Sequence, residues 1–276
     1  MQTQPDGSTD IVETIYLYDR DNRLLLSEIA AGENTSQKRF LYDNEGNQTL
    51  KEEVEKRDGS LLSTKTYWYY YNGNNQLFLV QGPDQDLTAY TYNGQGYRAG
   101  KESNGKTIRY YYDRGNLALE TDEKNAVTAK TIRGFQLLSR ETETAKYYYL
   151  HNAHKDVTKL TNELGKIVKE YSYAPYGSEE PEPVNFFGKN STTGLWRQET
   201  ENIGNPFRYC GEYLDETTGL YYLRARDYDP ETQRFLTEDT WQGELTNPLS
   251  LNRYSYCYNN PERYADKSGN IPVETL

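Results

Sequence analysis

Side chains able to do acid–base chemistry crowd together near the C-terminal end of the chain. Arg224, Arg226, Asp227, Asp229, Arg234, Glu238 and Asp239 stand within one short aromatic stretch. Two carboxylates held close together cannot both ionise cheaply, so they share a proton: one becomes a base toward water, the other an acid toward a carbonyl. A guanidinium beside them keeps one charged and holds it by charge-assisted hydrogen bonds. The ordinary role of Asp and Arg at strand ends is to make turns and surface ion pairs, and spacing alone leaves both roles open. Elsewhere the chemistry is sparse. His151 and His154 are the only histidines and sit three apart; no spacing brings further ligands or a nucleophile motif to them, so a structural or surface role is expected. Cys210 and Cys257 fit no metal-ligand spacing and are read as buried free thiols, with a disulfide between them as the alternative. No metal site and no cofactor are expected.

The charged cluster closes a run that reads as three short aromatic strands broken by turns: Asn205 to Tyr213, Thr218 to Pro230 and Arg234 to Asp239. The same style of sequence fills the chain before it. An aromatic or apolar pair at i and i+2 is followed by Asp or Asn and a Gly/Asn-rich turn at Tyr16-Leu17-Tyr18-Asp19, Phe40-Leu41-Tyr42-Asp43, Tyr69-Tyr70-Tyr71-Asn72, Tyr90-Thr91-Tyr92-Asn93 and Tyr110-Tyr111-Tyr112-Asp113. The turn residues 19, 43, 72, 93 and 113 are separated by 24, 29, 21 and 20 residues, a drifting period suited to hairpins that differ in loop length. Alternate residues of a strand share one face, and Asp or Asn followed by Gly lets the chain enter positive φ and reverse. One hairpin is marginal in water, so the units must stack into one long sheet.

Composition agrees. Of 276 residues, 28 are Tyr against 7 Phe and 3 Trp, and mean hydropathy is -1.00. Rings with a wet tip suit a sheet with a hydrated face better than a dry sandwich. A net charge of -11 argues against a nucleic-acid surface. No apolar run is long enough to span a membrane, and the N-terminus has no signal-peptide pattern.

Three divisions are expected: repeat hairpins over 1–177, a polar, exposed and protease-sensitive linker over 178–204 around Glu179-Glu180-Pro181-Glu182-Pro183, and a C-terminal core over 205–276. Within the core, Asn247 as N-cap and Pro248 at the first position predict a short helix before strand alternation resumes at Tyr254, Tyr256 and Tyr258.

These motifs resemble the YD-repeat or Rhs family, specifically its repeats and the Rhs-associated core. Tyr147 to Gly177 is similar to that family's "YYLHN" segment, with Lys155 where glycine is usual. Pro206 to Asp239 is similar to its "PFRY-GEY … TGLYYLRARYYDP" segment, with Asp227 for an aromatic and Gln233 for glycine. Asn247 to Asn270 is similar to its "NPLSLN … DPSG" tail, with Lys267 for proline and Asn270 for the usual Leu or His. The run Asp239 to Gly243 resembles the Gram-positive, wall-associated branch. The resemblance implies an all-β fold of YD hairpins in a long curved or spiral sheet, part of a hollow shell around a toxin in a secreted or cell-surface bacterial competition protein. It also implies a single-turnover aspartyl-type self-cleavage by Arg226, Asp239 and Asp266, after Asn270; Arg226 and Asp239 have the thirteen-residue spacing of the related insecticidal toxin C components.

The expected function is therefore a segment of toxin-encapsulating shell. Its partners would be a C-terminal toxin domain, for which the six residues after Asn270 are too few, or further YD repeats that continue the open sheet edges. The alternative, from a different class, is a module that binds carbohydrate or cell-wall glycan through exposed aromatic rows such as Tyr90 and Tyr92.

Overall fold

The computed structural model describes residues 12–180 and 203–274, with the backbone alone at 2–3 and 9–10. Most of the linker read over 178–204, from 181 to 202, lies outside the described residues. Glu179–Glu180 at its start pairs with Ser172–Tyr173 as a small antiparallel ribbon.

Fifteen strands, from Val12–Tyr18 to Ile167–Glu170, hydrogen-bond in sequence order as an antiparallel meander. Alternation decides which side chains go inside. The first ring of each aromatic pair is buried at Phe40, Tyr69, Tyr90 and Tyr110, and the next residue is exposed at Leu41, Tyr70 and Tyr111. The Val12–Tyr18 strand is exposed along its whole length, Tyr16 included.

The turns use their Asp and Asn residues in one consistent way. Oδ1 of Asp19, Asp43, Asn72, Asn93, Asp122 and Asn162 accepts the backbone N–H four residues on, at 2.8–3.1 Å. The residue three positions on takes positive φ: Asn22, Gly46, Asn75, Gly96, Asn125 and Gly165. The expected glycine directly after the Asp or Asn is thus not the reversing residue. The side chain imitates the next turn of backbone and holds the loop, and an Asn tolerates the left-handed position as glycine does. Asp113 differs, because Arg114 and Gly115, at φ 49° and 77°, reverse the chain in two residues.

The chain forms two compact units, Met1–Ala89 with Leu236–Tyr254, and Tyr90–Phe235 with Ser255–Leu276. In the first, the late segment returns to the early hairpins. Gln48 N–H donates to Leu236 O at 2.8 Å, Tyr254 hydroxyl donates to Gly46 O at 2.7 Å, and the Tyr254 ring meets Tyr42 edge-on.

In the second unit, Tyr213–Asp215, Leu220–Tyr222, Asp227–Asp229 and Arg234–Phe235 form a four-stranded antiparallel sheet in sequence order. Its interior is aromatic: Tyr209, Tyr221, Tyr228, Phe235 and Tyr256 pack with Cys210, Leu223 and Cys257. Rings of this size bury large areas, and their hydroxyls reach polar partners at the rim, as Tyr228 does by donating to Tyr176 O at 2.8 Å.

The stretch predicted as a short helix forms one 3-10 turn, Pro248–Leu251, and no α-helix occurs among the described residues. The Asn247 side chain makes no capping bond. Ser250 Oγ instead donates to Asn247 O at 2.7 Å and accepts the Glu244 N–H at 2.8 Å, closing the turn on itself, and Asn252 is already extended.

Candidate functional site

Of the three side chains implicated in cleavage, the structure pairs Arg226 with Asp266. Both are buried, with Arg226 Nη2 at 3.9 Å from Asp266 Oδ2. The Arg226 guanidinium lies over the Phe235 ring, 3.6 Å from its centroid, and its Nε donates to Gly269 O.

Asp266 organises the loop that follows it. Its Oδ1 accepts the N–H groups of Ser268 at 3.1 Å, Gly269 at 2.8 Å and Asn270 at 3.2 Å. Ser268 Oγ in turn accepts the N–H of Ile271 at 3.1 Å, so the Asn270–Ile271 amide is itself held. Asp266 Oδ2 is buried and accepts no hydrogen bond among the described residues. Burial raises the carboxyl pKa above its ordinary value, against the pull of Arg226 and the loop N–H groups. Gly269 is required where it stands, because at φ +78° a Cβ would lie 2.6 Å from Leu223 O.

Asp239 belongs to the other unit. There its carbonyl accepts Nε of Arg253 at 2.8 Å, its N–H donates to Arg253 O at 3.0 Å, and its Oδ1 accepts the Trp241 N–H at 2.8 Å.

A second buried charge cluster was not read from the sequence. Arg98 is 2% exposed, and its guanidinium lies between the rings of Tyr90, at 3.7 Å, and Tyr222, at 4.3 Å. Its Nη2 donates to Asp227 Oδ1 at 2.7 Å and its Nη1 stands 3.7 Å from Asp215 Oδ2. Asp215 also receives Lys101 Nζ and the Tyr90 hydroxyl. Burial pulls the Arg98 pKa down, but the carboxylates of Asp227 and Asp215 oppose it and the guanidinium ends well above its ordinary value. Burial raises Asp227, with Arg98 opposing. Asp227 stands where the resemblance has an aromatic; this departure was the visible signal, and its partner lies 129 residues away. Two of the other departures, Lys155 and Gln233, sit at φ 71° and 62°, backbone positions where glycine costs least.

The histidines and thiols also differ in their surroundings. Among the described residues neither ring nitrogen of His151 has a hydrogen-bond partner, and burial, then Arg133, lowers its pKa. His154 Nδ1 lies 2.9 Å from Asp156 Oδ1 and 3.6 Å from Cys210 Sγ. Both cysteines are free and buried, and burial pushes both thiols up. Tyr90, offered above as a sugar-stacking ring, is 4% exposed and covered by Arg98.

No family model matches the chain. Among curated proteins it is 32% identical to tRNA nuclease WapA of Bacillus subtilis over 277 residues, 97% of this chain and 11% of that protein. It is 37% identical to toxin protein Tse5 of Pseudomonas aeruginosa over 83 residues, 28% of this chain and 6% of that protein. The chain thus spans about a tenth of the length of the WapA relatives it matches. Among solved structures, the crystal structure of TcdB2-TccC3 without its hypervariable C-terminal region matches 93% of this chain and 15% of that one, with a TM-score of 0.54 at 20% identity. At that identity the likeness is one of fold.

Proposed function

The chain belongs to the YD-repeat (Rhs) family, and from that premise we propose that it is a shell segment of a secreted bacterial polymorphic toxin, enclosing a C-terminal toxin domain. The observation that carries this reading is the meander of hairpins in sequence order, with the first ring of four of the five aromatic pairs buried, in the fold of the TcdB2-TccC3 chain. A wall of this kind has one face for packing and one for its contents or solvent. No helix of the described residues is long and apolar enough to cross a membrane, and the secreted location is part of the proposal.

The test is a chimera in which this chain replaces the matching segment of the Bacillus WapA relative. The C-terminal toxin segment should stay protected from trypsin as in the parent. A chimera that folds, by its β-sheet circular dichroism, yet leaves that segment open to digestion would sink the shell reading.

The finer proposal is that the shell cuts itself once after Asn270, with Arg226, Asp239 and Asp266 as the acting groups. The Arg226–Asp266 pair and the loop N–H groups gathered on Asp266 support it. The carboxyl raised by burial can hold the proton that the scissile carbonyl needs, and Ser268 holds the amide of Ile271. Intact mass of the chain extended past Leu276 by a reporter domain reads the outcome. Wild type should appear as two pieces with Ile271 as a new N-terminus, and Arg226→Ala, Asp239→Asn and Asp266→Asn should stay whole. If wild type also stays whole, self-cleavage is wrong.

A further inference from the structure

Three side chains that the shell and cleavage readings leave unused meet beside the Tyr209–Gly211 turn. His154 Nδ1, Asp156 Oδ1 and Cys210 Sγ all lie within 4.8 Å of one another, and all three residues are buried or nearly so. The imidazole faces an oxygen acceptor at each nitrogen: Asp156 Oδ1 at 2.9 Å from Nδ1 and Tyr264 O at 3.3 Å from Nε2. A neutral imidazole carries one proton. One nitrogen would therefore confront an oxygen lone pair unless a second cation lies on that side. A second proton on Nδ1 would make an imidazolium paired with Asp156, with the sulfur 3.6 Å away as a further acceptor, whereas a metal ion there would bond all three donors.

We propose that His154, Asp156 and Cys210 form a binding site for one divalent ion of the zinc class, held by Nδ1, Oδ1 and Sγ. This departs from the expectation that the chain has no metal site. Zinc takes nitrogen, oxygen and thiolate donors, and tetrahedral bonds of about 2.3 Å to sulfur and about 2.0 Å to nitrogen set those donors about 3.6 Å apart. The Sγ to Nδ1 distance is 3.6 Å. Nδ1 and Oδ1, at 2.9 Å, need to open by about 0.4 Å to reach the same geometry. Binding the ion releases the Cys210 proton to solvent, and the resulting thiolate with the carboxylate neutralises the ion, so the bound site carries no net charge into the interior.

Outer contacts of the kind that orient metal ligands are in place. The Tyr264 carbonyl takes the proton of Nε2, leaving the Nδ1 lone pair for the ion. Asn152 Nδ2 donates to Asp156 Oδ2 at 2.7 Å and the Cys210 N–H donates to Asp156 Oδ1 at 2.8 Å. The ion would staple the hairpin of Lys146–His151 and Val157–Thr161 to the Tyr209–Gly211 turn of the aromatic core.

The experiment uses the full chain, stripped with chelator and then titrated with zinc chloride or cobalt chloride. One equivalent of zinc should survive dialysis and raise the thermal unfolding midpoint. Cobalt(II) should show a thiolate charge-transfer band in the near ultraviolet. Cys257→Ser should keep that band and Cys210→Ser should lose it, while His154→Ala and Asp156→Asn each weaken zinc binding by about tenfold or more. Wild type that retains no zinc, or a band that survives in Cys210→Ser or vanishes in Cys257→Ser, overturns the proposal. If Cys210→Ser does not fold, the band in Cys257→Ser still assigns the thiolate, since the chain has 2 Cys.

Discussion

Replacing Arg98 by Met keeps an unbranched apolar stem and removes the guanidinium with its charge. The guanidinium is 2% exposed and balances Asp227 at 2.7 Å and, with Lys101, Asp215. Removing one member of such a buried pair costs about 3–5 kcal/mol, because the other charge stays behind without compensation. The rings of Tyr90 and Tyr222 also lose the cation between them. At a urea dependence of about 2–3 kcal/mol per M, that loss moves the unfolding midpoint down by about 1–2.5 M.

The double variant Arg98→Met, Asp227→Leu should recover most of the loss, since a buried ion pair exchanged for apolar groups is close to neutral. The defect of the single variant should also depend on pH. Asp227 has a folded pKa already raised by burial, and losing Arg98 raises it further. A raised carboxyl pKa means that stability is fully present below the unfolded value and is lost as pH rises through the folded one. Arg98→Met should therefore be closest to wild type in mild acid and furthest from it at neutral pH. The assay is urea unfolding followed by far-ultraviolet circular dichroism at several pH values. A midpoint for the single variant at pH 7 within the shift that about 0.5 kcal/mol would give, as for a surface substitution, refutes the assignment of this cluster as a buried pair.

Asp266→Asn, besides leaving the extended chain whole, should flatten the pH dependence of stability. In wild type the raised Asp266 pKa makes stability fall as pH rises through it, and a wild-type curve that parallels the variant's would contradict this. Gly269→Ala should destabilise by more than about 1 kcal/mol, since both its φ and the Leu223 carbonyl at 2.6 Å oppose a Cβ; thermal unfolding reads it. Gln233→Gly should instead be neutral or stabilise by up to about 1 kcal/mol, because it relieves a left-handed residue, and a clear loss would mean that the glutamine side chain matters. Asn93→Ala should cost about 1 kcal/mol by freeing the N–H groups of Gln95 and Tyr97, measured as a drop in the urea midpoint.

Much of the fold was legible in the residues themselves. A two-residue period in Tyr69-Tyr70-Tyr71 or Tyr110-Tyr111-Tyr112 specifies both a strand and its buried face, because successive side chains of a strand point to opposite sides. An Asp or Asn closing each run marks the turn, because the bonds that hold it reach only two to four residues along the chain. The predicted helix failed for an equally local reason: Asn247 and Pro248 begin a helix, but Ser250 turns its hydroxyl back on the loop instead of continuing it.

The candidate site was legible only in part. The resemblance implies Arg226, Asp239 and Asp266 as acting groups, whereas the nearness of Arg226 to Asp266 and the gathering of Ser268, Gly269 and Asn270 on one carboxylate oxygen appear only in three dimensions. Asp227 looked like a lost aromatic until Arg98 was found beside it, and His154 and Cys210 looked unrelated until the Tyr209–Gly211 turn met the hairpin. By itself the sequence determined the repeat, its strands and its turns, since these are written in spacings of two to four residues. Only the tertiary structure decided which charges are buried together and that Leu236–Tyr254 returns to the first hairpins, since partners more than a hundred residues apart are chosen by packing, which no local period records.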